Sequence, residues 1–210
     1  MEHYIVYSGK HVALAGMQKE YIRLVMPWLN NPVTTAGVVL TPPITYEDEL
    51  EWYESIRANR SQRIFAILVR DGVDSEWRYV GHTGLHNITW PDARASSGTI
   101  IGDEGVHGKG YGTEAKLFLL YHAFYVEGIR KITSELKAFN GHSLGHLLKT
   151  GYKVVGISKS HHFHEGVYVD EIMVEIFKED FDPIWKRYKE NAELPSLSVQ
   201  QKKLMKKIME

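Results

Sequence analysis

The 210-residue chain contains no cysteine, and this absence excludes several kinds of chemistry. Without cysteine there is no disulfide framework, no thiolate nucleophile and no cysteine-ligated metal site. Cysteine usage leaves the compartment open, and a cytoplasmic location is the default expectation. Residues 1–8 have neither a basic start nor a sufficiently long apolar stretch, so we expect no signal peptide.

Long apolar runs and net charge are also scarce. No run approaches the ~18 apolar residues of a membrane span, so we expect no membrane partner. The 25 Lys and Arg residues balance 26 Asp and Glu residues, which gives no electrostatic reason to expect nucleic acid. With 43% hydrophobic and 24% charged residues the composition is that of a globular protein. We predict a single domain over residues 1–190 and an amphipathic tail helix over residues 191–210.

Glycine, by contrast, is concentrated at the start of one helix. Residues 105–115 read GVHGKGYGTEA, in which Gly108, Gly110 and Gly112 alternate. A strand-like TIIGD run precedes this segment, and an apolar helical run follows it. Glycine lets backbone N–H groups approach a ligand closely, and the first helical turn directs free N–H groups and a positive dipole end to the same place. The pattern predicts a site for phosphate or pyrophosphate.

Four interpretations of this glycine loop are open. It has the glycine spacing of a Walker loop, but Tyr111 and Gly112 stand where Lys and Ser or Thr are needed. The letters GYGTEA fit a dinucleotide motif, with Glu135 as a ribose-binding acid, but little βαβ pattern surrounds them. A glycine-rich turn that binds nothing is the third. The fourth is an acyl-coenzyme A loop, [Q/R]xxGxG/A, which HGKGYG fits except at its first position, His107.

Further motifs favour the fourth interpretation. The letters IGD before the loop and GKGYGTEA within it are followed by NGHS at 140–143, KTGY at 149–152 and GVYVD at 166–170. From about residue 95 to residue 177 the chain resembles the GNAT superfamily of acetyl-coenzyme A dependent N-acetyltransferases. Within that superfamily it is similar to the branch of ribosomal-protein N-terminal (Rim-type) and spermidine acetyltransferases.

The resemblance implies an α/β fold: a mixed central sheet with helices on both faces and a splayed strand pair that holds the cofactor. The hydrophobic periodicity agrees with such a plan. Thr45 is the expected N-cap of the second helix. We predict strands at 11–15, 63–69, 77–88, through 100–101, 131–137, 152–157 and 167–177, and helices at 19–29, 45–58, 115–126 and 143–149.

The resemblance also implies where acetyl-coenzyme A, the co-substrate, is held. Its pantetheine arm would bond the backbone of the strand before the loop, and loop N–H groups would hold the pyrophosphate. Each such charge-assisted bond contributes ~1.5–3 kcal/mol. Lys109 and Lys149 are either phosphate contacts or surface lysines, and Asn140 is either a pantetheine contact or a turn residue. The predicted set is Ile101, Gly102, His107, Gly108, Lys109, Gly110, Tyr111, Gly112, Thr113, Asn140 and Lys149.

Acetyl transfer to an amine needs a base for the ammonium, a donor for the oxyanion and an acid for the thiolate. Here the chain departs from its relatives. Ser96 stands where the branch usually has Glu, and Leu147 stands where many relatives have a proton-donating Tyr. We predict Asp170, acting through water, as the base and Ser143 as the acid. The alternatives are a structural Asp and a helix-capping Ser.

The chain is therefore expected to transfer acetyl to a primary amine by direct attack in a ternary complex. The acceptor would be a protein N-terminus, a polyamine, an amino sugar or a similar small amine. A non-catalytic acyl-coenzyme A sensor and a nicotinamide oxidoreductase are the rival hypotheses. No metal is expected.

Two segments carry no assigned role. His161, His162 and His164 are interpreted as exposed loop residues or as a loop beside the acceptor pocket, and His162 with His164, which would share a face of an extended segment, as zinc ligands. The tail has an apolar stripe that would pack on the body or on a second subunit of a symmetric homodimer. The stripe consists of Leu197, Leu204, Met205, Ile208 and Met209, beside Lys202, Lys203, Lys206 and Lys207.

Overall fold

The computed structural model describes residues 1–38, 40 and 42–209. Within these residues eight strands form one sheet in the order β1-β2-β3-β4-β5-β6-β8-β7. The strands are β1 Ile5–Ser8, β2 Val12–Gly16, β3 Arg63–Val69, β4 Arg78–Thr89, β5 Arg94–Ile101, β6 Lys131–Lys137, β7 Lys153–His164 and β8 Val167–Phe177.

Seven α-helices connect or cover these strands in the same described residues. The start of the third follows from its sequence: the Thr45 hydroxyl accepts from the Asp48 N–H, and the Asp48 carboxylate accepts from the Thr45 N–H. The helices are α1 Glu20–Leu29, α2 Pro32–Thr35, α3 Tyr46–Ala58, α4 Tyr111–Tyr121, α5 Gly141–Lys149, α6 Lys178–Asn191 and α7 Val199–Met209.

Successive residues of a strand point to opposite faces of the sheet, so neighbouring side chains of β2 pack in two different hydrophobic clusters. Ala13 and Ala15 of β2 belong to the cluster that contains α1. Val12 and Leu14 belong to the larger cluster that contains α4, α5 and α6. The sheet therefore has helices on both faces, as predicted.

The strands pair antiparallel except for β5 and β6, which pair in parallel. That pairing extends only from Arg94 opposite Lys131 to Ser96 opposite Thr133. Beyond it the Ser134 hydroxyl donates to the Ser97 carbonyl (2.8 Å), so a side-chain bond stands where the ladder would have continued. β5 then runs on to Ile101 and β6 to Lys137 without pairing to one another. This opening, here called the gap, is the predicted splayed strand pair.

Several elements differ from their predicted extents. The predicted 115–126 helix begins four residues earlier in α4, at Tyr111, and its end, His122–Val126, is a π-helix. The predicted strand 152–157 continues to His164, so the three histidines lie in a strand instead of a loop. β1, α2 and α6 were not predicted. Among the described residues, no helix combines the length and the apolar character needed to cross a membrane.

The tail is helical over a shorter range than 191–210. Residues 192–198 form no helix, α7 covers Val199–Met209, and Glu210 lies outside the described residues. Met205 and Ile208 pack against the core cluster, and the Gln201 amide donates to the Leu148 carbonyl (2.8 Å). The tail therefore lies on α5 of its own chain.

Candidate active site

A cavity of about 570 Å³ opens where β5 and β6 separate. Residues 96–99 of β5 and 134–137 of β6 form its two strand walls. Helices α4 and α5 contribute side chains from one side, and the β7–β8 hairpin closes another. The cavity exists because the strands cannot pair beyond Thr133, so their backbone groups in this region face open space instead of one another.

A lysine lies at the inner end of this cavity. Lys116 of α4 is 1% exposed, and its ammonium donates to the Ser97 hydroxyl (3.2 Å). The same hydroxyl lies 2.8 Å from the Tyr152 hydroxyl. Among the residues that the structure describes, none forms an ion pair with Lys116. Burial without a counter-ion lowers the pKa of Lys116 to about 7.

Two neutral histidines share this inner end. Burial lowers the pKa of His146, on α5, to about 3, and its Nε2 has no hydrogen-bond partner among the residues that the structure describes. Burial, reinforced by the nearby Lys116, also lowers the pKa of His86, on β4. Both side chains line the cavity. They can accept or donate a hydrogen bond to a bound molecule without bringing a charge.

A carboxylate and an imidazole lie at the opposite wall. Glu171 of β8 is 8% exposed, and its Oε1 accepts from His162 Nε2 at 2.7 Å. His161 Nε2 lies 3.7 Å from the other carboxylate oxygen. Glu171 and His162 line the cavity, and an imidazole held by a carboxylate is suited to accept a proton.

The same cluster has the donor set of a metal site. The nitrogen and oxygen atoms of His161, His162 and Glu171 lie within 4.8 Å of one another. Such ligands suit zinc. The expectation that no metal is needed stays a prediction.

Asp170, the predicted base, lies on the other face of β8. Its carboxylate accepts from the Lys159 ammonium (2.7 Å) and from the Ser160 N–H (2.9 Å). These two bonds hold the pKa of Asp170 below its usual range. Asp170 is absent from the cavity wall, whereas Glu171, one residue later, is part of it. Its predicted alternative role, that of a structural Asp, matches these contacts.

Ser143, the predicted acid, lines the cavity at the first turn of α5. The predicted cofactor residue Asn140 caps that helix, since its side-chain oxygen accepts from the Ser143 N–H (3.0 Å). The structure thus brings Ser143 to the cavity and gives Asn140 a capping role. Lys149, in the last turn of α5, lies at the far end of the same helix.

The glycine loop adopts the backbone that its sequence predicts. Gly108 and Gly110 have positive φ angles, 77° and 86°, which favour glycine. α4 begins directly after Gly110, with no side-chain cap, so its first N–H groups are available. A Cβ on Gly108 would meet no atom within 4 Å in the described part of the chain. Tyr111, Gly112 and Thr113 form the first turn of the helix.

The end of β5 is fixed by its neighbours. His107 Nε2–H donates to the Ile101 carbonyl (3.1 Å), and the Gly102 N–H donates to the Val80 carbonyl (3.0 Å). The Trp28 ring occupies the space that a Cβ on Gly102 would need. The resemblance assigns Ile101 and His107 to the cofactor; the structure shows them bonded to each other.

Sequence reasoning missed Lys116, His146 and Glu171. One signal for Lys116 was present, because it is a cation within the apolar run AKLFLLYHAF. Glu171 had no comparable signal in the sequence. Asp170 and Glu171 are adjacent in a strand, and only the register of that strand decides which of the two carboxylates faces the cavity.

Comparison with protein families finds that the model described as Acetyltransferase (GNAT) domain matches residues 12–153. No curated protein matches the chain. The β7–β8 hairpin, with Glu171, lies mostly beyond the range of the family match.

Solved structures share the fold. A spermidine N-acetyltransferase from Vibrio cholerae, in complex with CoA and spermine, has a TM-score of 0.74 and 18% identity, over 81% of this chain and 97% of that chain. A candidate acetyltransferase from T. thermophilus has a TM-score of 0.71 and 19% identity, over 89% of this chain and 96% of that chain. At such identities the likeness establishes the fold.

Proposed function

The chain belongs to the GNAT acetyltransferase family, and on that premise we propose that it transfers acetyl from acetyl-coenzyme A to the primary amine of a small acceptor. Attack would be direct, in a ternary complex, because the chain has no cysteine to carry the acetyl group. The observation that carries the proposal is the cavity itself. It begins at the gap and ends at the Glu171–His162 pair.

Three features of the gap and the glycine loop support coenzyme A as the bound molecule. The facing edges of β5 and β6 offer unpaired backbone groups to an extended arm. The uncapped N-terminus of α4 favours an anion. The open space beside Gly108 leaves room for it.

The Glu171–His162 pair supplies the base. An alkyl ammonium has a pKa near ~10, so it must lose a proton before it can attack. The pair would accept that proton, and the neutral amine would form the new C–N bond at the thioester carbonyl. The tetrahedral intermediate then expels the coenzyme A thiolate, which takes a proton to become the thiol. Asp170 is less suited to this role because Lys159 and Ser160 already occupy its oxygens.

The cavity wall and one structural relative together favour a small amine as acceptor. Glu135 and Glu171 in the wall can attract an ammonium group, and Lys116 and Lys137 line the same cavity, so the carboxylates act locally and the wall is not acidic as a whole. One structural relative is a spermidine N-acetyltransferase in complex with spermine. We therefore place a polyamine or another small primary amine first among the acceptors, ahead of a protein N-terminus and an amino sugar.

Release of coenzyme A, measured with a thiol-reactive dye, tests the proposal. The absence of cysteine means that the dye reports only the product thiol. The panel contains spermidine, spermine, an amino sugar, a peptide with a free N-terminus and buffer alone, each with and without a chelator. We expect turnover with the small amines, with the acetylated product identified by mass.

Two variants identify the base. Glu171→Gln should lower kcat by about 100-fold or more, the usual range for loss of a general base, with little change in acetyl-coenzyme A affinity. Asp170→Asn is the matched control and should retain most of the turnover. The reverse pattern would make Asp170 the base. Binding of acetyl-coenzyme A without turnover of any amine would favour the sensor alternative.

A further inference from the structure

The proposed reaction leaves one proton transfer without a donor, the one to the departing thiolate. Leu147 of α5 lines the cavity but has no proton to give. The Ser143 hydroxyl lies at the first turn of α5, whereas Lys116 reaches the inner end of the gap. The following inference rests on the proposed function and completes it.

Lys116 lies where the gap begins. Ser96 is the last residue of β5 that pairs with β6, and the Ser97 hydroxyl, bonded to Lys116, belongs to the next residue. Ile101 lies beside the glycine loop, and Ser97 precedes it by four residues in the same strand. At the usual rise of a strand, the distance along β5 between these two residues is about 13 Å. An arm that enters at the loop and runs along β5 has its far end directed at the Lys116 ammonium.

We propose that Lys116 is the acid that protonates the coenzyme A thiolate as it leaves. The S–C bond to the acetyl group breaks, the electron pair stays on sulfur, and one ammonium proton of Lys116 passes to that sulfur. Lys116 becomes neutral and regains a proton from water before the next turnover. The acetyl group passes to the acceptor amine, and no other co-reactant is required.

The surroundings of Lys116 support an exchangeable proton. Burial without a counter-ion makes it easier for a lysine to lose its proton. A negative charge that develops nearby has the opposite effect and favours the protonated form. The forming thiolate would therefore hold the proton on Lys116 until transfer. The Ser97 hydroxyl accepts from the ammonium and is itself bonded to the Tyr152 hydroxyl, which fixes its position.

The other titratable groups around Lys116 do not replace it. His86 on β4 and His146 on α5 have lowered pKa values and are neutral at pH 7. Burial raises the pKa of Tyr152, so its phenol keeps its proton. Glu171, with Glu135 and His162, lines the cavity from β6 and the β7–β8 hairpin.

The test compares Lys116→Met with Lys186→Met, which makes the same change at an exposed position of α6. The measurement is kcat between pH 6 and pH 9 with the best amine of the panel. Wild-type kcat should have an alkaline falling limb from loss of the acid. In Lys116→Met that limb should disappear and kcat should drop by about 100-fold. The KM for acetyl-coenzyme A should stay within about twofold, and Lys186→Met should resemble wild type.

A second variant keeps the proposal testable if Lys116→Met fails to fold. Ser97→Ala keeps the lysine but removes its partner, so the falling limb should move in pH while turnover continues. Lys116→Met with unchanged kcat and pH profile would overturn the proposal. So would an acetyl group found on Lys116 by peptide mass mapping after turnover, because an amide nitrogen cannot serve as the acid. Absence of wild-type turnover would instead count against the proposed function.

Discussion

The Cδ1 atom of Leu194 lies 2.6 Å from the position that a Cβ atom on Gly110 would take. The segment between α6 and α7 thus packs on the glycine loop. Leu194 is partly exposed and its end can move, so Gly110→Ala should cost slightly more stability than Gly108→Ala, where a Cβ meets no atom of the described residues. Both substitutions carry the cost of a positive φ, about 1 kcal/mol. Urea unfolding of the two variants measures the difference.

Shortening Leu194 provides the control for this comparison. In the Leu194→Ala background the extra cost of Gly110→Ala should largely vanish, since the contact that it disturbs is gone. Equal costs in both backgrounds would show that Leu194 does not press on Gly110 in solution.

The glycine loop should also control coenzyme A affinity. Gly110→Val or Gly112→Val should weaken binding by more than about 1.4 kcal/mol, or tenfold, because each side chain blocks the approach to the helix N-terminus. Titration calorimetry measures the dissociation constants. Gly166→Val, at the tip of the β7–β8 hairpin and also at positive φ, is the control and should bind normally. Unchanged affinity in both loop variants would remove the loop from the cofactor site.

Buried Lys116 should make stability depend on alkaline pH. Its folded pKa, about 7, lies below the unfolded value of 10.5, so the unfolded chain binds more protons between these limits. The free energy of unfolding should therefore rise with pH from 7 toward 10.5, by up to about 1.4 kcal/mol per pH unit. Lys116→Met should lack this rise. Urea unfolding of both proteins at pH 7, 8 and 9 measures it, and parallel curves would contradict it.

The tail should act within its own chain. Deleting residues 195–210 removes Met205 and Ile208 from the core surface and the Gln201 bond to Leu148. We expect a lower melting temperature and an oligomeric state unchanged by light scattering. A change from dimer to monomer would show instead that the tail joins subunits, as the homodimer hypothesis requires.

Much of the fold could be predicted because local patterns agreed with the final packing. β3, β6 and β8 have the predicted limits, since each apolar strand is bounded by charged or turn residues. α6 was missed because its buried residues, Phe181, Trp185 and Tyr188, are sparse among charges. The predicted limit of β7 came too early in the chain, because the polar SKSHHFH run is stabilised as a strand only by pairing with β8.

The candidate site was less predictable, for a physical reason. The glycine loop is local in sequence, so its backbone shape could be read from three glycines. The inner end of the cavity joins residues far apart in the chain, such as Lys116 with Ser97 and Tyr152. A Lys in an apolar helix indicates something unusual, but its partner is set by the tertiary packing.

The three paired positions between β5 and β6 are the backbone ladder that joins two antiparallel halves of the sheet, β1–β5 on one side and β6, β8 and β7 on the other. The ladders on either side of this seam, β4–β5 and β6–β8, each have seven paired positions. The seam is therefore the shortest backbone join in the middle of the sheet, and a molecule in the gap would lie against both halves. A ligand that lies in the gap therefore binds only the finished fold, and its concentration sets how firmly the two halves stay joined.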